Sequence, residues 1–154
     1  MPAVHSTPLP IGLPEAWLQR KLRSLEPKLR DTALNNAQNM FGNGGVIKLA
    51  TLCSGSDNPV VWTVAWIRVC RAEILQVDLD HPRASPAGHY RHMFSCEISV
   101  PKQAWIRKNI IPELLFADVS RLGHDKAYCV LSGCLEVVPY ADIVTSERII
   151  SNYL

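Results

Sequence analysis

From Val46 onward the chain alternates short apolar runs with longer helical stretches, and no other feature limits its possible folds as much. Val46 to Leu52 (VIKLATL) follows a turn cluster, Phe41 to Gly45, and reads as a buried strand. Asn58-Pro59 then offers a capping side chain followed by proline at a first helical position, so Val60 to Ile74 is predicted to be a helix. The run is long for a strand, whose usual length is about five or six residues. With polar groups only at Thr63, Arg68, Arg71 and Glu73, that helix must be largely covered. A strand over His92 to Glu97, a helix over Lys102 to Asn109 started near Pro101, and a strand over Leu114 to Asp118 follow. A last strand is expected within Val137 to Val144. The order β, α, β, α, β implies a mostly parallel sheet with right-handed crossovers and with ligands at the carboxyl ends of its strands.

The rest of the chain is of a different kind. Residues 1–14 hold prolines at 2, 8, 10 and 14, which remove amide donors and restrict their neighbours, so an irregular arm is expected. Residues 15–40 predict a basic amphipathic helix with Leu18, Leu22, Leu25 and Leu29 on one face, broken or kinked at Pro27. Packing on its own domain is the plainest use for such a helix, with a partner groove as the alternative. Residues 75–90, with two prolines and a glycine, read as an inserted loop.

Composition sets the class. At 47% apolar and 19% charged, the chain of 154 residues is expected to pack a core of one domain. No stretch approaches the roughly 18 apolar residues of a membrane span, and MPAVHSTPLP lacks the basic and apolar regions of a secretion signal. An intracellular location, nuclear or cytoplasmic, is the expectation. Sixteen basic against fourteen acidic side chains give +2, well short of a dedicated nucleic-acid binder. The five cysteines (53, 70, 96, 129, 134) are an odd, scattered set and read as reduced thiols, with no metal site expected.

Three features fall at the predicted strand ends: the loop Cys53-Ser-Gly-Ser-Asp57, Glu97 and Asp118. A glycine after a strand lets a ligand approach the backbone, and an acid there can accept hydrogen bonds from a ribose diol. Each also has a plain structural use, as a turn residue or a helix cap. A dinucleotide would want GxGxxG to hold pyrophosphate on bare amides, whereas this loop has one glycine and carries Asp57, which repels phosphate. The GxxxxGK[ST] phosphate loop is absent as well. S-adenosyl-L-methionine carries no phosphate and is compatible with an acid in the first loop.

TLCSGSDNPVV (51–61), HMFSCEISVPKQAWIRKN (92–109), LLFADVSRL (114–122) and VPYADIV (138–144) resemble, in order, the first four motif blocks of DNA cytosine-5 methyltransferases. The KQAWI block and its spacing to FADV are the most specific part. The resemblance implies a Rossmann-like three-layer α/β domain over residues 46–154, preceded by the N-terminal helical segment, and S-adenosyl-L-methionine as cofactor. By it, Ser54, Gly55 and Ser56 would line the methionine end, with Cys53 and Asp57 in the same loop. Glu97 would accept from the ribose hydroxyls and Asp118 would face the adenine amino group. Ile98 and Ala117 would flank the ring, with Val119 beside Asp118.

The chain departs from the family pattern twice. Gly55 and Glu97 are 42 residues apart, where an acid about 20 residues on is usual, and the insertion at 75–90 accounts for the excess. After Asp142-Ile-Val-Thr-Ser146 the chain reads ERIISNYL, and no residue matches the family's nucleophilic cysteine; Cys129 and Cys134 precede the matching strand. The expectation is a cofactor-binding half without catalytic residues, a truncated product of a longer gene, sheet incomplete on its C-terminal side. DNA would be reached through segments absent from this chain, and a protein partner or a second copy would cover the exposed sheet edge. The alternatives are a noncatalytic binding module and another nucleotide ligand on the same scaffold.

Overall fold

The computed structural model describes residues 13–41, 44–52 and 58–146. Helix α1 spans Leu13–Ser24, α2 Pro27–Phe41, α3 Asn58–Leu75 and α4 Val100–Asn109. The strands are β1 (Ile47–Leu52), β2 (Tyr90–Cys96), β3 (Leu114–Phe116), β4 (Lys126–Cys129), β5 (Cys134–Val137) and β6 (Ile143–Ser146). The chain forms two compact units, one from its first 46 residues with Trp62–Tyr90, the other from Ile47–Val61 with the residues from Arg91 on.

In the first unit the expected basic helix is two helices. Pro27 supplies no N–H and restricts Glu26, so the chain breaks at 25–26 and restarts with proline in the first turn of α2. The leucine stripe therefore does not stay on one face: Leu22 is buried, while Leu25 and Leu29 are exposed. Residues 13 and 14, expected in the irregular arm, belong to the first turn of α1; the remainder of that arm lies outside the described residues. Glu73 on α3 receives Gln19 at 3.0 Å and Arg23 at 2.8 Å, both from α1. Trp17 and Trp62 meet edge to face with centroids 5.6 Å apart. Helix α3 is buried at Val64, Ala65, Ile67, Val69, Cys70 and Ala72, the cover its composition requires. The loop at 75–90 holds a 3-10 turn at Pro82–Ala84, capped by His81 Nδ1, which accepts from Arg83 N at 3.1 Å.

The second unit carries the sheet, in the order β5-β4-β3-β2-β1-β6. It is mostly parallel, consistent with a Rossmann-like α/β fold. β1 pairs in parallel with β6 from Leu49↔Ile143 to Leu52↔Ser146, and β2 with β3 from Phe94↔Leu114 to Cys96↔Phe116. Parallel neighbours need a crossover, which α4 provides between β2 and β3. β4 and β5 form an antiparallel hairpin beside β3, in a region where the sequence predicts no element. The last strand begins at Ile143, so only its first residues fall in the predicted window. Ala50, Met93, Phe94, Cys96, Phe116, Ala127 and Cys129 form the core, with Leu52, Leu114, Leu122, Val138 and Ala141 packed against it. Cys70, Cys96 and Cys129 are buried and Cys134 is exposed, all four as free thiols.

Candidate functional site

β1 lies between β2 and β6, so the strand order reverses around it. Reversal points of this kind open a crevice outside the carboxyl ends of the strands, where α/β proteins hold ligands. The loop that follows β1 supplies five expected contacts, Cys53, Ser54, Gly55, Ser56 and Asp57, and all five lie outside the described residues. The other expected contacts follow β2 and β3.

Cys96 and Phe116 are paired in register, which puts Glu97 one residue beyond the paired position on β2 and Asp118 two beyond it on β3. Neighbouring strands are about 4.8 Å apart, so the backbones carrying both acids share one end of the sheet. Glu97 N–H still donates to Phe116 O at 3.0 Å, extending the ladder to the acid itself. The Glu97 side chain is buried, 4% exposed, and its Oε1 accepts from Ser99 N at 2.8 Å. Ser99 is the N-cap residue of α4 and makes no side-chain cap of its own; the Glu97 carboxylate satisfies its backbone amide. Gln103, buried one turn into α4, donates through Nε2 to Glu97 O at 2.6 Å. The crossover helix thus grips both the backbone and the side chain of Glu97.

Asp118 is not in the third strand, which ends at Phe116; it caps a 3-10 turn at Val119–Arg121. Its Oδ1 accepts from Ser120 N at 2.9 Å and from Ser120 Oγ at 2.7 Å, and Arg121 Nε stands 3.9 Å from Oδ2. The Ser120 hydroxyl and then its amide hold the carboxyl below the usual aspartate range, helped by Arg121 against a small opposing effect of burial. Asp118 is therefore an ionised acceptor at neutral pH. Ile98 is 77% exposed and Val119 46%, so two apolar side chains stand in solvent beside the two acids.

Sequence reasoning missed Gln103 and Ser99 as supports of Glu97. It also missed a buried polar group beneath the strand ends, where Thr51 Oγ1 donates to Ser95 Oγ at 3.1 Å and His92 Nε2 lies 3.1 Å from the same oxygen. Polar residues within a strand read as outward-facing, so only a complete β-pairing would have revealed it. Among the described residues no group of three or more His, Cys, Asp or Glu could hold a metal ion, and no helix is long and apolar enough to cross a membrane.

The mostly parallel sheet is consistent with a Rossmann-like α/β fold, and Glu97 and Asp118 follow adjacent strands of it. No family model matches the chain. The chain is similar to the DNA (cytosine-5-)-methyltransferase DMT5 of Cryptococcus neoformans var. grubii, 33% identical over 102 residues. The match takes in 66% of this chain and 4% of the length of that relative. The likeness to DNA cytosine-5 methyltransferases read from the motif blocks is thus also a likeness across two thirds of the chain.

Proposed function

We propose that this chain is the cofactor-binding part of an S-adenosyl-L-methionine-dependent methyltransferase of the DNA cytosine-5 kind. The observation that carries the reading is the pair Glu97 and Asp118, one and two residues past a shared rung of adjacent parallel strands. The similarity to a DNA (cytosine-5-)-methyltransferase supports it.

The residues fit the cofactor's chemistry. Ribose hydroxyls and an adenine amino group are donors, and an ionised carboxylate offers only acceptors, about four lone-pair sites. Glu97, fixed by Ser99 and Gln103, is the acceptor for the ribose; Asp118, whose Oδ1 is committed to Ser120, offers Oδ2 to the adenine. Ile98 and Ala117 flank the purine, with Val119 beside Asp118, which accounts for the exposed apolar side chains of Ile98 and Val119 at the sheet end. The loop 53–57 takes the methionine end. When bound, the cofactor supplies a methyl group on a sulfonium; this chain's residues bind and orient it. The polymer acted on is DNA, and the setting is intracellular, where DNA is found.

Equilibrium dialysis of the full chain with radiolabelled S-adenosyl-L-methionine tests the reading. Saturable micromolar binding is expected, weakened at least about tenfold, or 1.4 kcal/mol, by Glu97→Ala and by Asp118→Ala. A folded chain that binds no cofactor overturns it and favours a noncatalytic module. Displacement by adenine dinucleotides but not by S-adenosylhomocysteine points to another nucleotide.

A further inference from the structure

The β4–β5 register runs Lys126↔Val137, Ala127↔Glu136, Tyr128↔Leu135 and Cys129↔Cys134, so the final rung before the turn is a pair of cysteines. Directly opposed residues of an antiparallel pair have Cα atoms about 4.5–5.5 Å apart and side chains on one face of the sheet. Disulfides span Cα separations of about 4.4–6.8 Å, so the backbone already has the required spacing. The turn is tight: Gly133 N–H donates to Cys129 O at 2.9 Å, with Gly133 at φ 72°.

The thiols also share a neighbour. The Ser132 hydroxyl lies 3.2 Å from Cys134 Sγ and hydrogen-bonds Cys129 as well. Their surroundings differ in a useful way, since Cys134 is exposed and Cys129 buried. Burial works to raise the Cys129 thiol, but hydrogen bonds from the backbone at Leu115, Ser132 and Leu131 and from the Ser132 hydroxyl outweigh it and hold the thiol below its usual range.

We propose that Cys129 and Cys134 are a redox-modification site, closing a reversible disulfide across the β4–β5 hairpin when the chain meets a disulfide oxidant such as oxidised glutathione. The exposed Cys134 thiolate attacks one sulfur of glutathione disulfide, forming a mixed disulfide and expelling one glutathione thiolate. The Cys129 thiolate then attacks Cys134 Sγ, breaking the mixed bond and expelling the second. Two protein thiols lose two protons and two electrons, and one glutathione disulfide becomes two glutathiones. Drawing the Cβ atoms together by about 1 Å is the movement required.

The test is incubation of the full chain in glutathione redox buffer, acid quench, alkylation and tryptic mass mapping. Residues 127–148 form one tryptic peptide that holds both cysteines. In the wild type this peptide is expected to lose two hydrogens and escape alkylation, and to regain both thiols in reduced buffer. Cys129→Ser is expected to raise the glutathione adduct at Cys134 at least tenfold, because no second thiol removes it. Cys134→Ser, a change at an exposed site, leaves Cys129 alkylatable only after unfolding. A wild-type peptide with two free thiols, or with a persistent adduct at Cys134, overturns the proposal, and so does a link from either cysteine to Cys53. The wild-type outcome decides the matter even if Cys129→Ser does not fold.

Discussion

Thr51 on β1 donates a 3.1 Å hydrogen bond to Ser95 on β2, and both side chains are fully buried. Since His92 Nε2 lies 3.1 Å from the same hydroxyl, Ser95 Oγ is the hub of a polar group inside the sheet. Ser95→Ala takes a partner from Thr51 and from His92 at once, and unmade buried hydrogen bonds cost about 1–3 kcal/mol. A matching fall in unfolding free energy is expected in urea titration of the full chain. Thr51→Val in the Ser95→Ala background should cost less than in the wild type, because the bond it would break is already gone.

Gln103 positions Glu97 through the 2.6 Å bond from its Nε2 to Glu97 O. Gln103→Leu keeps most of the volume and removes the donor. It is expected to lower stability by about 1–3 kcal/mol and to weaken cofactor binding without altering the charge of the site. Gln103→Glu, which cannot donate when ionised, should behave alike near neutral pH and recover in part in acid. Dialysis alongside urea titration measures both effects.

Asp118 titrates below the usual aspartate range because Ser120 hydrogen-bonds its ionised form. A depressed folded-state value means that the contribution of this cap is present above the ordinary aspartate range and is lost as pH falls through the depressed value. Carbon-detected NMR titration should place the Asp118 midpoint below that of a free aspartate, and Ser120→Ala should move it upward. Ser120→Ala should also carry the Asp118-dependent part of the fall in cofactor affinity to higher pH.

Cys70 behaves oppositely. Burial first, and then the nearby Glu73 carboxylate, push its thiol up to about 12. A raised folded-state value means the contribution is complete below the ordinary thiol range and is lost as pH rises toward about 12. The urea midpoint of the wild type should therefore fall more steeply above pH 9 than that of Cys70→Ala. In native alkylation near pH 8, exposed Cys134 should react at least tenfold faster than Cys70.

What the sequence disclosed follows from how local each signal was. Pro59 marks the start of α3 because its fixed φ suits a first helical turn, and Pro27 marks the α1–α2 break for a similar reason; Asn58, expected as a cap before the helix, is the first residue of α3. The β4–β5 hairpin left almost no trace. Its strands are four residues each, and β5 is exposed at Leu135 and Val137, so it lacks the alternation that betrays a half-buried strand. Lys126 to Cys129 does alternate, exposed and buried in turn, and with Ser132-Gly133 after it could have been recognised. That Glu97 follows β2 and Asp118 follows β3 was legible from the short apolar runs before them. Their supports were less so: Gln103 matters only because α4 folds back over the end of β2.

Asp142 and Lys48 bind each other twice, Asp142 N to Lys48 O and Lys48 N to Asp142 Oδ2, each at 2.8 Å and across 94 residues of chain. β1 is among the first strands made and its partner β6 among the later ones. At translation rates of about 5–20 residues per second, one flank of β1 waits on the order of 5–20 s for that partner. During that interval its unpaired amides are open to any other extended chain. Nascent protein should therefore depend on holding chaperones far more than the finished fold does.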